Sequence, residues 1–204
     1  RYTFDGFLQL WRTRMADAAT RTKYSAYDIR VINALLKLGR RKEAWEIARI
    51  YLDDRRPCAW NQWPEISWPD PQSPGHLGDL PHSWIGAEFV LAVRALFMDE
   101  QQNRLVIGQG IQEEWLMAPG ISLKRWPTGW GELDMQVQCP QAGVITLTLA
   151  GAVEPPGGIE IDLPIAGHLF SVEMETAQVL SQQGSCINIV RSPVQLTLRF
   201  HSQT

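Results

Sequence analysis

Apolar residues recur at helical spacing from the start of the chain. Phe4, Phe7, Leu8, Trp11 and Met15 fall on one side of a 3.6-residue repeat and predict an opening amphipathic helix. From Tyr27 to Leu38, the positions Ile29, Ile32, Leu35 and Leu36 line a second helix, and Gly39 supplies a left-handed stop. Ala44, Ile47, Ala48 and Tyr51 repeat the spacing in a third helix, which Pro57 closes. Two helices joined by so short a turn predict an antiparallel hairpin. No self-similar period along the chain extends that pair into a repeat array.

The pattern then breaks at "WNQWPEISWPDPQSPGHLGDLPHSW", residues 60–84. Pro64, Pro69, Pro71, Pro74 and Pro81 each remove a backbone donor and turn the preceding residue away from helix. A loop of this length is either functional or disordered, and Trp60, Trp63, Trp68 and Trp84 argue for order. Asp79 and Pro81 mark the expected start of another helix running to about Met98. Its apolar positions, Ala87, Leu91 and Ala95 on one side with Phe89, Val93 and Leu96 on another, predict burial among other helices. Beyond residue 103 the period falls to two. "ISLKRW", "GELDMQVQ", "GVITLTLAG", "GIEIDLP", "HLFSVEM", "SCINIV" and "VQLTLRF" read as short strands separated by turn residues, hence an antiparallel β-sandwich.

Composition narrows the setting. The 204 residues are 45% hydrophobic and 20% charged, which is the balance of a globular protein. A formal charge of -3 with no basic run argues against nucleic acid as a partner, and no apolar run spans a bilayer, so no membrane is expected. Cys58, Cys139 and Cys186 form neither a disulfide framework nor a zinc pattern; one disulfide is possible, and buried free thiols are favoured. No cofactor and no metal are expected.

Three ordered stretches carry a resemblance: "GDLPHSWIGAEFVLAVRALF", then "LVIGQGIQEEWL", then "ISLKRWPTGWGELDMQV". Together they resemble the end of a bacterial six-hairpin glycosidase, nearest the α-L-rhamnosidase-like branch and its uncharacterised relatives. The resemblance covers roughly residues 24 to 140, and the later strands by architecture alone. It implies an α+β multidomain chain. Residues 1–102 would be the last helical hairpins of an (α/α) six-hairpin toroid, and 103–204 a C-terminal β-sandwich. The expected partners are a carbohydrate substrate and a missing N-terminal part of the same protein, without which this portion is inactive. Enzymes of this type are more often periplasmic or secreted than cytoplasmic, although no signal peptide is visible.

Glycoside hydrolysis needs two carboxyl groups flanking the scissile bond. Glu65 lies among aromatic residues suited to raising its pKa, and it matches in rough position a catalytic-loop glutamate of rhamnosidase-like enzymes that acts as general base. His82 matches a substrate-contacting histidine at the start of that family's final barrel helix. Trp60, Trp63, Trp68 and Trp84 offer flat indoles to the C–H face of a pyranose. Asp79 holds the loop against substrate or, as the favoured reading, satisfies a helix start; Asp70 reads as a turn former, and Glu88 as a partner for an arginine or, equally, for sugar. Structural alternatives remain for the others: a surface carboxylate for Glu65, a helix-terminus partner for His82, anchors for the tryptophans. Trp115, Trp126 and Trp130 read as packing between helix and sandwich, and His76 as unsupported. The expected outcome is inverting hydrolysis. Alternatives are a carbohydrate-binding or interaction module, a phosphorylase, and a polysaccharide lyase using Tyr24, Tyr27 or His82 as base.

Overall fold

The computed structural model describes residues 3–16, 25–55, 58–60, 62–67, 79–165, 168–174, 179–183 and 186–201. The chain divides into two compact units, Arg1–Val93 and Arg94–Thr204.

In the first unit, α1 (Phe4–Ala16), α2 (Ile29–Lys37) and α3 (Arg41–Asp53) each bury one stripe. Leu8, Trp11 and Met15 are buried on α1, Ile29, Ile32, Leu35 and Leu36 on α2, and Ala44, Trp45, Ile47, Ala48 and Tyr51 on α3. The α2–α3 turn ends as its glycine requires. Gly39 has φ +70°, its N–H donates to Leu36 O, and the Arg40 N–H reaches back to Leu35 O at 2.9 Å. Ion pairs then fix α1 laterally, Arg12 to Glu46, Arg14 to Asp28 and Arg40 to Asp5. Exposed pairs of this kind contribute only about 0–1 kcal/mol each, so the apolar stripes hold the helices and the charges orient them.

A fourth helix, α4 (Ser83–Phe97), begins in the first unit and ends in the second. It starts two residues after Pro81, not at it, with the His82 carbonyl accepting the Gly86 N–H at 3.1 Å. Leu91 remains more than half exposed, contrary to the burial predicted for it, and so does its neighbour Val90.

Among the described residues the second unit contains ten strands: β1 (Met98–Gln101), β2 (Arg104–Ile107), β3 (Ile121–Thr128), β4 (Gly131–Gln141), β5 (Val144–Ala150), β6 (Ile159–Asp162), β7 (His168–Met174), β8 (Val179–Gln183), β9 (Cys186–Ile189) and β10 (Val194–His201). One five-stranded sheet runs β1-β2-β6-β9-β8 and the other β3-β4-β5-β10-β7. Among the described residues the pairings are antiparallel except that of β2 with β6. Period-two alternation puts Leu133, Met135 and Val137 of β4 inside while Asp134 and Gln136 face out. These residues join Leu105, Ile107, Ile159, Ile161, Ile187 and Ile189 of the other sheet in one buried cluster.

The expectation of helical hairpins closing a toroid is therefore corrected. Among the described residues there are four α-helices and two mostly antiparallel sheets, the make-up of a small α+β protein. The reason lies in the sequence between α3 and α4. A toroid needs each helix to be covered by an antiparallel partner, but the stretch that would supply one for α4 is interrupted by six prolines. Its described part holds a short 3-10 turn, Cys58–Trp60, and extended backbone. Among the described residues, α2 and α3 are the helices that pack as a hairpin.

One buried hydroxyl ties two turns of the sandwich. Ser192 Oγ donates to Gly151 O at 2.6 Å and accepts the Val153 N–H at 3.1 Å, with Ser192 3% exposed. Ser192→Ala leaves the buried Val153 amide without that acceptor and is expected to destabilise the protein by about 1–3 kcal/mol. Urea denaturation measures this, and a midpoint equal to that of the native chain would refute the role given to the hydroxyl.

Candidate functional site

The long loop is closed at its base by backbone. The Glu65 N–H donates to Asp79 O at 3.1 Å, and the His82 N–H donates to Trp63 O at 3.2 Å. Residues 63–65 and 79–82 thus run side by side, and they bring Glu65, Asp79 and His82 together although as many as 17 positions separate them in sequence. A third clamp comes from Ser25, which precedes a 3-10 turn, Ala26–Asp28. Its hydroxyl accepts the Tyr27 N–H at 3.2 Å and donates to Glu65 O at 2.9 Å. One small side chain therefore caps the turn before α2 and holds the loop against it.

Tyr27 is the centre of the resulting cluster. Its hydroxyl lies 2.6 Å from His82 Nε2, and its ring meets those of His82 and Trp84 edge-on, each at a centroid distance of 5.4 Å. The Arg30 guanidinium carbon sits 5.8 Å from the Tyr27 ring centroid. On the other side of the imidazole, Nδ1 faces Asp79 Oδ2 at 3.6 Å, a charge contact longer than a hydrogen bond. With Nδ1 carrying the proton, Nε2 accepts the phenol; once the ring is protonated, it donates to the phenol oxygen instead. Tyr27 and His82 thus share a hydrogen bond, and a solvent-facing carboxylate stands beyond the imidazole without bonding to it. The His82 side chain is 13% exposed and that of Asp79 82% exposed.

The other predicted residues separate. Glu65 is half-buried and its backbone is bonded on both sides. Trp84 is 58% exposed, and its Nε1 donates to Glu88 Oε1 at 3.3 Å, so Glu88 has an indole partner. Trp60 is 69% exposed. Trp63 is corrected from sugar surface to core. Its ring is 1% exposed, packs on Phe89 at 4.8 Å, and donates Nε1–H to Tyr51 O at 2.7 Å, so no face is left for a ligand. Asp79 is not a helix cap, because α4 starts four residues later and the side chain turns to His82. Trp68, Asp70, His76 and Tyr24 lie outside the described residues.

Elsewhere, Trp115 and Trp126 pack on Phe97, with the Arg94 guanidinium 5.1 Å from the Trp126 ring centroid. Cys139 and Cys186 are free, and burial followed by the nearby Glu160 and Asp162 carboxylates pushes the Cys186 thiol up to about 12, so it stays protonated and unreactive at neutral pH. Among the described residues no group of three His, Cys, Asp or Glu side chains forms a metal site, and no helix is long and apolar enough to cross a membrane. A cavity of about 180 Å³ opens on the solvent face of β3, β4 and β5, lined by Ser122, Lys124, Asp134, Gln136 and Thr148 among others. It contains no aromatic ring and no histidine, and it carries less chemistry than the Tyr27 cluster.

Tyr27, the centre of this cluster, is a residue that the sequence offers only as an alternative, among the candidate bases of a lyase. The chain matches no family model, no curated protein and no solved structure.

Tyr51 underlies the site. Its hydroxyl donates to Asp28 Oδ2 at 2.9 Å, and burial, followed by the Asp28 charge, raises its pKa well above the ordinary tyrosine value. Because the folded state favours the neutral phenol, its contribution is fully present below about pH 10, the unfolded value, and falls as pH rises beyond that. Stability should therefore drop by up to about 1.4 kcal/mol per pH unit above pH 10 on account of this one group. Tyr51→Phe should remove that part of the slope. Urea midpoints of both proteins between pH 9 and 11 (about one unit either side of the unfolded value) test this, and parallel slopes would contradict it.

Proposed function

We propose that the loop base is the sugar-handling part of a glycoside hydrolase, with Glu65 as the general base that activates water. The observation that carries the reading is Trp84. An indole 58% exposed is held edge-on to Tyr27 and tethered through Nε1, so that it offers a broad apolar surface beside a phenol–imidazole pair. Apolar C–H faces and hydroxyl edges alternate around a pyranose, and an indole next to mobile donors and acceptors matches both. Glu65 enters the same base through its two backbone bonds, half-buried, where its carboxylate is the group available to take a proton from water. In this reading the general acid is a second carboxyl supplied by chain beyond these 204 residues, and water sits between the two groups as inverting hydrolysis requires.

A second reading rests on the 2.6 Å contact between Tyr27 and His82. A phenol whose proton is shared with an imidazole can act as base in β-elimination, breaking a glycosidic C–O bond without water. Products separate the two: hydrolysis gives a saturated sugar and elimination an unsaturated one that absorbs ultraviolet light.

In the intact natural chain that contains this sequence, Glu65→Gln is expected to lower hydrolysis of its best substrate from an aryl glycoside panel by at least ~10²-fold. A rate within a factor of about two of the native one, well under the usual scale of general-base loss, would remove Glu65 from the mechanism. Trp84→Ala is expected to weaken oligosaccharide binding by about 10-fold, the upper scale of one aromatic contact, while leaving thermal stability close to native because the ring is exposed. Isothermal titration reads the first quantity and calorimetric melting the second.

A further inference from the structure

Arg30, on the first turn of α2, is exposed and presents its guanidinium beside the Tyr27 ring. Among the described residues it pairs with no carboxylate, whereas Arg12, Arg14 and Arg40 of the same unit are each bound to one. Tyr27 is therefore surrounded by three groups of different chemistry: an indole at 5.4 Å, an imidazole at 5.4 Å and an uncommitted cation at 5.8 Å. Two acids touch this network, Asp79 on the Nδ1 side of His82 and Glu88 on Nε1 of Trp84, and neither forms an ion pair with Arg30. The cation is thus not neutralised from within the cluster.

We propose that the sugar recognised at the loop base is a uronate, whose carboxylate is received by Arg30 while its ring lies against Trp84 and its hydroxyls meet Tyr27 and His82. The inference rests on the carbohydrate reading given above and adds the class of sugar. Guanidinium is planar and presents paired N–H donors that match the two oxygens of a carboxylate, and it does so at every pH a protein tolerates. A neutral hexose would leave this donor set facing water, with no gain from it. The chain as a whole carries a formal charge of -3, so long-range attraction does not favour an anion, and the preference must come from this local contact. Glu65, at the same loop base, adds a negative charge that an acidic sugar must tolerate, which makes an uncompensated cation on the α2 side a requirement for binding one.

The test is titration of the 204-residue chain with short oligomers of galacturonate, glucuronate and mannuronate, each beside its methyl ester. The ester keeps the ring and the hydroxyls but removes the charge. At least one acid is expected to bind about 10-fold or more tightly than its ester, the scale of a charge-assisted hydrogen bond. That preference should vanish in Arg30→Gln, survive in part in Arg30→Lys, and shrink as salt is raised. Arg30 is exposed, so both variants should keep the native melting temperature, which confirms that the effect is local. Equal binding of acid and ester by the native chain would overturn the uronate inference and leave the carbohydrate reading standing. A preference that persists in Arg30→Gln would equally overturn it, by removing Arg30 as the receptor. Failure of every acid, every ester and a neutral oligosaccharide panel to bind would overturn both.

Discussion

The arrangement of the first unit depends on one buried ring. Trp63 is inserted between the end of α3 and the side of α4, where its indole N–H satisfies Tyr51 O at 2.7 Å and its face lies on Phe89. A large side chain removed from water in this way holds by area, and its single polar atom fixes its direction. The backbone on either side of it then has little choice. Trp63 O receives the His82 N–H, and two residues on, the Glu65 N–H finds Asp79 O. Chain segments far apart in sequence are brought to one place by these three bonds, and the chemistry of the cluster follows from that proximity.

Once the base is closed, electrostatics divide the unit into two kinds of polar group. Asp28 accepts both the Tyr51 hydroxyl and the Arg14 guanidinium, so its charge is consumed internally and serves to lock α1 against α2. Tyr27, His82 and Asp79 form a chain that leads from half-buried to solvent, with no internal charge to neutralise it. Two tyrosines on neighbouring elements thus have opposite roles. One is withdrawn behind a carboxylate and kept neutral; the other is left in contact with the His82 imidazole at 2.6 Å.

Much of this was legible in the chain before its structure. The apolar periods of α1, α2 and α3, the Gly39 stop, and the period-two stretches that contain β3 to β7, β9 and β10 follow from local physics. What was not legible is tertiary. β1 was hidden because "MDEQ" continues directly from a helical pattern and becomes a strand only by pairing with β2, and β8, "VLSQQ", has no alternation to announce it. The toroid was inferred from likeness over an ordered set of stretches, and it failed because a likeness of parts does not supply the antiparallel helices that α4 would need. Trp63 and Trp84 have the same residue type in the same loop region, and nothing local tells an anchor from an exposed platform. That distinction arises only when Tyr51 O and Phe89 are brought to Trp63.

The order of the second sheet has a consequence for how the protein is made. β10 lies between β5 and β7, so two strands synthesised earlier must wait for it before they join. Until then β5 presents an unpaired edge, and β7 has no neighbour on the side that β10 will occupy. Such edges are sites for pairing with another chain. The sandwich therefore cannot be assembled strand by strand as it leaves the ribosome. It must be completed in one late step, and a chain paused before Val194 is the form most prone to aggregate.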